Sequence, residues 1–481
     1  MHRIQQYIRR QLPVGSFSRN VVTLMSGTTI AQALLILVSP ILTRLYSPDD
    51  FGIYALYISI LGILSVISCW RYELAIVLPE EDDDAANLLV LSILICVGMA
   101  LLSLIMVGLC RIPVAYLLKA PELAPWLWFL PFSLLLTGLF KALNYWCTRR
   151  RQFKSLAVRQ ITQSIVTAIT QISSGMTIYA RAGGLIGGQI FGQTIATVKL
   201  AWDIWREDRL FLNHTSIKGI KEQAVVYKEF PLYQIGAALF NSFSAMVPTL
   251  LLGYFFSPAV VGLYALGQKV VASPMGIING SVSQVFFPRA ELARRQGNLD
   301  DLVISTFKHL LSIGLFPIAV LAIIGPQLIG FVFGVQWVQA GVILRLLSPY
   351  LLLNFLSAPI SAVFSVLGKQ KEYLLFNIVY FILAVSALVF GGLKDDAQLA
   401  ISLFGTIAAI LYGYFGIKII KMSGGSLRTA WQAISKVLKD VSIFMVPLLV
   451  VQFFQIGAIV IIILSLILTI CYFFYISKNK L

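Results

Sequence analysis

The chain has 481 residues, of which 58% are hydrophobic and 12% charged, and its mean hydropathy is +0.85. Apolar residues recur in blocks along the whole length, which excludes a soluble globular domain, a disordered chain and a small disulfide scaffold. The 37 Lys and Arg against 21 Asp and Glu give a net charge of +16, which in a soluble protein would point to nucleic acid; here the positions of the charges decide its meaning.

A bilayer core about 30 Å thick needs roughly 20 mostly apolar residues per helix. Blocks of that length begin at Val21, Gly52, Ala86, Ala124, Ala157 and Gly183, then at Pro231, Val261, Leu302, Ala340, Tyr373 and Ala397, and finally at Val441 and Gly457. The predicted fold class is therefore an all-α polytopic membrane protein with about 14 transmembrane helices. Arg3, Arg9, Arg10 and Arg19 precede a full-length first block with no small-residue cleavage site, so that helix is expected to be retained. The acidic run Glu80 to Asp84 reads as a solvated loop, because its spacing is not that of a calcium loop. Trp205–Phe230 and Lys418–Asp440 are basic and amphipathic, and read either as segments on the inner leaflet or as solvated linkers. The five cysteines show no CxxC spacing and are expected to be free, buried thiols.

With the N-terminus inside, 27 of the 37 basic residues fall in cytoplasmic connections. Only five, Arg44, Arg111, Lys119, Arg181 and Lys394, fall outside. This asymmetry supports an even number of spans with both termini inside. The outside connections are short and leave no room for an extracytoplasmic catalytic domain.

The segment Tyr46-Ser47-Pro48 to Leu56 aligns with Phe256-Ser257-Pro258 to Leu266, and the shared residues include Ser-Pro, a Gly four residues on, and Tyr-x-Leu. A repeat at this junction predicts two six-helix lobes, 1–204 and 231–418, joined by a cytoplasmic linker at 205–230. Residues 419–481 are expected to add a basic linker and two further helices.

The opening span leading into Leu42-Thr43-Arg44-Leu45-Tyr46-Ser47-Pro48-Asp49-Asp50-Phe51-Gly52-Ile53-Tyr54, followed by Arg71-Tyr72-Glu73-Leu74-Ala75-Ile76, resembles the polysaccharide-biosynthesis flippases. These belong to the multidrug/oligosaccharidyl-lipid/polysaccharide exporter superfamily and are similar to O-antigen and exopolysaccharide translocases. The resemblance implies two lobes around a central cavity and alternating access. The cargo it implies is an undecaprenyl-diphosphate-linked oligosaccharide, moved across the bacterial cytoplasmic (inner) membrane. Its implied partners are that glycan lipid and the bilayer, with a glycan polymerase and export machinery as candidates downstream and no nucleic acid or cofactor. A drug efflux transporter of the same superfamily is the first alternative, and a membrane glycan polymerase or ligase the second.

Five cations fall inside predicted spans: Lys141, Lys199, Lys269, Lys308 and Arg345. Each costs about 2.5–3.5 kcal/mol at a helix centre on an insertion scale. Lys199 and Lys308 sit near inside ends and are expected to snorkel. Lys141, Lys269 and Arg345 are candidates for binding a diphosphate through charge-assisted hydrogen bonds. Arg71 is the entry candidate, and Arg44 is either its exit counterpart or an ion-pair partner of Asp49 or Asp50. Glu73 either pairs with Arg71 or carries a coupling proton. No Asp or Glu is expected firmly within a span, which argues against export of cationic drugs. Gln160, Gln163, Thr167 and Gln171 form a polar stripe at helical spacing that either faces a hydrated cavity or bonds to neighbouring helices. Gly184, Gly188 and Gly192 are expected to permit close helix packing. The sequence has no P-loop, GxSxG or HExxH, and His2, His214 and His309 form no ligand pattern. It is read as a transporter, not an enzyme.

Overall fold

The computed structural model describes residues 17–177, 181–454 and 457–480, so Arg3, Arg9 and Arg10 lie outside the described residues. A long helix occupies each of the expected positions. The first group is α1 (Phe17–Leu45), α2 (Pro48–Leu64), α3 (Asp82–Leu117), α4 (Leu130–Arg149), α5 (Phe153–Gly175) and α6 (Ala182–Asn213). Next come α7 (Ile235–Phe255), α8 (Pro258–Gln296), α9 (Leu299–Phe333), α10 (Val338–Ile360), α11 (Gln370–Leu393) and α12 (Ala397–Met422). The chain ends with α13 (Leu427–Phe453) and α14 (Ala458–Lys480). Among the described residues, nine helices are long and apolar enough to cross a bilayer. A tenth is formed if Pro121–Leu127 and α4, bent by 53° at their junction, make one span. Outside that set, α2 has only 17 residues, α5 carries the polar stripe, α6 ends in a charged segment, and the first half of α13 is charged.

The chain divides into two compact units, Met1–Gly262 and Leu263–Leu481. The division falls near the start of α8, and α7 belongs to the first unit because it packs on α2. Gly253 of α7 lies against Leu56 of α2, and Met246 of α7 against Gly62.

Local chemistry explains how α2 starts. Ser47 caps it by accepting from the Asp50 N–H, Asp50 accepts from the Ser47 N–H in return, and Pro48 fills the first helical position. The other Asp50 carboxylate oxygen accepts from the Ala182 N–H at 2.8 Å, fixing the start of α6. The repeated segment begins α8 in the same way, with the Val261 N–H bonding the Ser257 carbonyl as the Phe51 N–H bonds that of Ser47. The two copies meet reciprocally. A Cβ on Gly52 would stand 1.8 Å from the Pro258 carbonyl oxygen, and one on Gly262 would stand 1.9 Å from that of Pro48.

Neither expected linker is a free connection. Helix α6 continues to Asn213, and a further helix, Ile217–Val226, is capped by Ser216. That short helix is held to the start of α3 by the Ser216 N–H bond to Asn87 and the Tyr72 hydroxyl bond to the Ala224 carbonyl. The basic segment after Lys418 merges into the thirteenth helix, since Ser426 caps α13 and no Gly or Pro interrupts it before Pro447. The terminal pair packs on the second unit, where Tyr472 donates to the Ser312 carbonyl at 2.6 Å and stacks on Phe316. The acidic run is likewise structural. Asp82 opens α3 and pairs with Arg149 and Arg150 at 2.9 Å. Cys69, Cys96 and Cys147 are free and buried as expected, but Cys110 and Cys471 are exposed.

Candidate functional site

In the first unit, three of the expected site residues converge where α2 stops. The helix ends at Leu64, and the chain turns through Trp70 (φ 51°) and Arg71 (φ 66°) before a 3-10 turn over Tyr72–Val77. Two successive non-glycine residues in the left-handed region store about 1–3 kcal/mol each, so the surrounding packing holds this break in place. Lys141 of α4 donates to the Ser65 carbonyl at 2.6 Å and contacts the Ser65 hydroxyl at 3.2 Å. Its ammonium thus sits at the negative end of the α2 dipole and satisfies a carbonyl the helix has released.

Glu73 is 1% exposed, and Arg71 reaches it at 3.8 Å. The remaining oxygen, Oε2, and Arg71 Nε are buried without a hydrogen-bond partner. Burial pushes the Glu73 carboxyl above its ordinary value, and the nearby charges of Lys141 and Arg71 counter this only in part. The group is therefore a buried carboxyl with two cations around it and spare donor and acceptor capacity. The free Arg71 Nε can donate to an anion, and the carboxyl can gain and lose a proton.

In the second unit, Lys269 is half-buried on α8 and makes no hydrogen bond or ion pair among the described residues. Beyond it, Gly276 and Gly280 of the same helix have open space where a Cβ would stand. Arg345 of α10 is committed to structure. Its Nε donates to the Ala322 carbonyl at 3.0 Å and an Nη to that of Ile323 at 2.8 Å. Helix α9 is kinked there, with Ile324 at φ −113°, ψ 15°. Pro326 has no N–H for the Ala322 carbonyl, and Arg345 supplies the missing donor. The kink nests on α10 at Gly341, where a Cβ would stand 2.5 Å from both the Gly325 carbonyl oxygen and Pro326 Cα.

Arg44 is exposed on the last turn of α1 and pairs with neither Asp49 nor Asp50 among the described residues. The polar stripe of α5 is taken up by helix packing, not by a cavity wall. Thr28 donates to Gln160 at 2.8 Å, Gln163 bonds Gln193, and Gln171 donates to the Leu185 carbonyl at 2.9 Å. Thr167 is 3% exposed and fills the space over Gly192, while Gln171 and Tyr46 cover Gly188 and Gly184. The stripe's amides and the glycine row of α6 are two faces of one contact.

Sequence reasoning missed a set of buried charges on the extension of α6. Arg159 is 3% exposed and bonds Asp203 at 2.9 Å. Asp208 is equally enclosed and accepts from Arg150 at 3.1 Å and from the Trp146 indole at 3.0 Å. These pairs lie on the extension of α6, which is not among the helices apolar enough to span, and so stand apart from the expectation that no Asp or Glu lies firmly within a span. Their signal was the alternation of Asp203, Glu207 and Asp208 with Arg206 and Arg209 at helical spacing, continuing the predicted sixth span without a breaker.

An all-helical bundle with nine helices long and apolar enough to cross a bilayer among the described residues is the architecture of a multi-pass membrane protein. The solved structures it is similar to agree in fold. The lipid II flippase MurJ in an inward closed conformation superposes with a TM-score of 0.70 at 13% identity, over 95% of this chain and 100% of that one. An inward-facing multidrug resistance MATE family transporter of the MOP superfamily gives 0.59 at 14% identity, over 82% and 96%. The MATE transporter VcmN of Vibrio cholerae gives 0.52 at 17%, over 88% and 96%. The chain belongs to the polysaccharide biosynthesis protein family, whose model matches residues 41–342. A curated relative, the teichuronic acid biosynthesis protein TuaB of Bacillus subtilis (strain 168), is 25% identical over 171 residues. That match spans 35% of each protein, about a third of the relative's length.

Proposed function

We propose that this protein is a flippase that moves an undecaprenyl-diphosphate-linked oligosaccharide, an O-antigen or exopolysaccharide repeat unit, across the bacterial cytoplasmic membrane. In this reading both termini face the cytoplasm, the protein alternates access between the two leaflets, and a glycan polymerase and export machinery act downstream. Membership of a polysaccharide-biosynthesis family and a fold shared with a lipid II flippase support the reading. The observation that carries it is the excess of cations over carboxylates in the first unit, where Arg71 and Lys141 surround a single carboxyl, Glu73; in the second unit, taken by itself, Lys269 has no counter-charge among the described residues. A diphosphate supplies the missing negative charge and accepts several charge-assisted hydrogen bonds at once.

The test is translocation of a fluorescent undecaprenyl-diphosphate glycan in proteoliposomes, comparing wild type with Arg71→Ala and Lys269→Ala. Loss of at least about tenfold in rate is expected for each variant, since a charge-assisted hydrogen bond contributes about 1.5–3 kcal/mol. Full activity in both variants would rule out the cation mechanism. No translocation by wild type under imposed ion gradients would count against the flippase.

A further inference from the structure

Four helices of the second unit bring a set of phenols and amides together. Tyr264 and Gln268 come from α8, Tyr350 and Asn354 from α10, Tyr380 from α11 and Tyr412 from α12. Gln268 donates to the Tyr264 hydroxyl at 3.0 Å. The Tyr350 hydroxyl faces Tyr380 and the Asn354 amide, with Tyr264 alongside. The Tyr350 and Tyr412 rings are 5.7 Å apart, and those of Tyr380 and Tyr412 are 5.3 Å apart at 73°.

Three features set this cluster apart from ordinary packing. Tyrosines that mark a membrane interface sit at helix ends, whereas Tyr350, Tyr380 and Tyr412 each lie at least ten residues from either end of their helices. Of the six residues only Tyr264 is buried; the other five are half-buried. The Tyr412 hydroxyl has no hydrogen-bond partner among the described residues and is not sealed from solvent-sized contact. A phenol with a free hydroxyl far from either end of its helix, as at Tyr412, needs a polar occupant, because hydrocarbon cannot satisfy it. The set contains no charged side chain, so its occupant is neutral and rich in hydroxyls. Tyrosine offers such a ligand both an apolar ring face and a polar tip.

We propose that this cluster is a sugar-binding platform, on which a neutral pyranose of the cargo lies against the Tyr350, Tyr380 and Tyr412 rings and hydrogen-bonds to Asn354, Gln268 and the free hydroxyls. The inference rests on the flippase reading and adds to it the element that reads the glycan. Lys269 follows Gln268 by one residue, about 100° round the helix. The diphosphate cation and the sugar platform therefore share a helix but not a face.

The test uses the full chain in nanodiscs titrated with two probes, undecaprenyl diphosphate carrying a neutral oligosaccharide and undecaprenyl diphosphate carrying none. Wild type is expected to prefer the glycan-bearing lipid. Tyr350→Ala and Tyr412→Ala should lower that preference by about tenfold, the scale of one or two lost hydrogen bonds, and leave binding of the sugar-free lipid unchanged. Asn354→Ala and Tyr412→Phe keep the ring packing, and decide the matter if the alanine variants at the tyrosines do not fold. Unchanged preference, or equal weakening toward both probes, overturns the platform. Wild-type binding of both lipids with equal affinity overturns the platform and leaves the flippase standing. Binding of neither lipid overturns both.

Discussion

Removing the Arg345 side chain while keeping its bulk, as in Arg345→Met, should destabilise the kinked helix α9 instead of simply weakening cargo binding. The guanidinium holds two carbonyls, Ala322 at 3.0 Å and Ile323 at 2.8 Å, and the first has no N–H of its own because residue 326 is proline. Leaving a buried carbonyl unpaired costs about 1–3 kcal/mol, and here Ala322 and Ile323 are half-buried. Arg345 is exposed, so solvent replaces much of this, and a net loss of about 1–2 kcal/mol is expected. Arg345→Lys should fall between, since a point charge cannot span both oxygens as a planar fork does. Restoring the N–H with Pro326→Ala should recover about 1 kcal/mol in the Arg345→Met background and none in wild type, giving a measurable coupling. Reversible unfolding in mixed detergent micelles, followed through buried Trp337, reads these differences. If Arg345→Met unfolds within about 0.5 kcal/mol of wild type and shows no coupling to Pro326→Ala, the carbonyl-capping role is wrong.

Three other outcomes are expected. Gly52→Ala and Gly262→Ala each place a methyl within 2 Å of a proline carbonyl oxygen, so each should cost about 1–3 kcal/mol despite the better helix propensity of alanine. Equal stability of both variants in the same unfolding assay would refute the reciprocal contact. Glu73 has a raised folded pKa, so the folded state holds its proton longer than the unfolded chain. Wild-type stability should accordingly decline as pH rises from the ordinary carboxylate range through the raised value, then level off. Glu73→Gln should abolish that slope in a pH series of thermal unfolding, and a slope retained in the variant would assign it to another group. Gly192→Val drives a side chain into Thr167 Oγ1 and should break the contact of α5 with α6, read as reduced folded yield in detergent; wild-type yield and stability would show that the two helices can part without cost.

The positions of the helices were legible because each apolar block needs the same length and ends in the same turn chemistry. What the sequence could not show was where blocks join. Val441 began a predicted span, yet its helix starts at Leu427, because amphipathic spacing in Lys418–Asp440 describes a helix on a membrane surface and a helix entering a bundle equally well. The site divides in the same way. Periodicity identified the face of Gln160, Gln163, Thr167 and Gln171, but a face does not name its neighbour, and the neighbours proved to be Thr28, Gln193 and the glycines of α6. Charge inside a span marked Lys141 and Arg345. Their partners, Ser65 and the carbonyls left free by Pro326, are backbone groups exposed only by a break or a kink, which composition does not record.

The crossed fit of Gly52 with Pro258 and Gly262 with Pro48 has the form of an isologous interface, in which residue i meets residue j and j meets i. The two motifs stand about 210 residues apart in one chain, and each serves as the other's mould. A larger residue in either glycine position must therefore be answered by a change in the opposite motif, so the two positions are constrained as a pair.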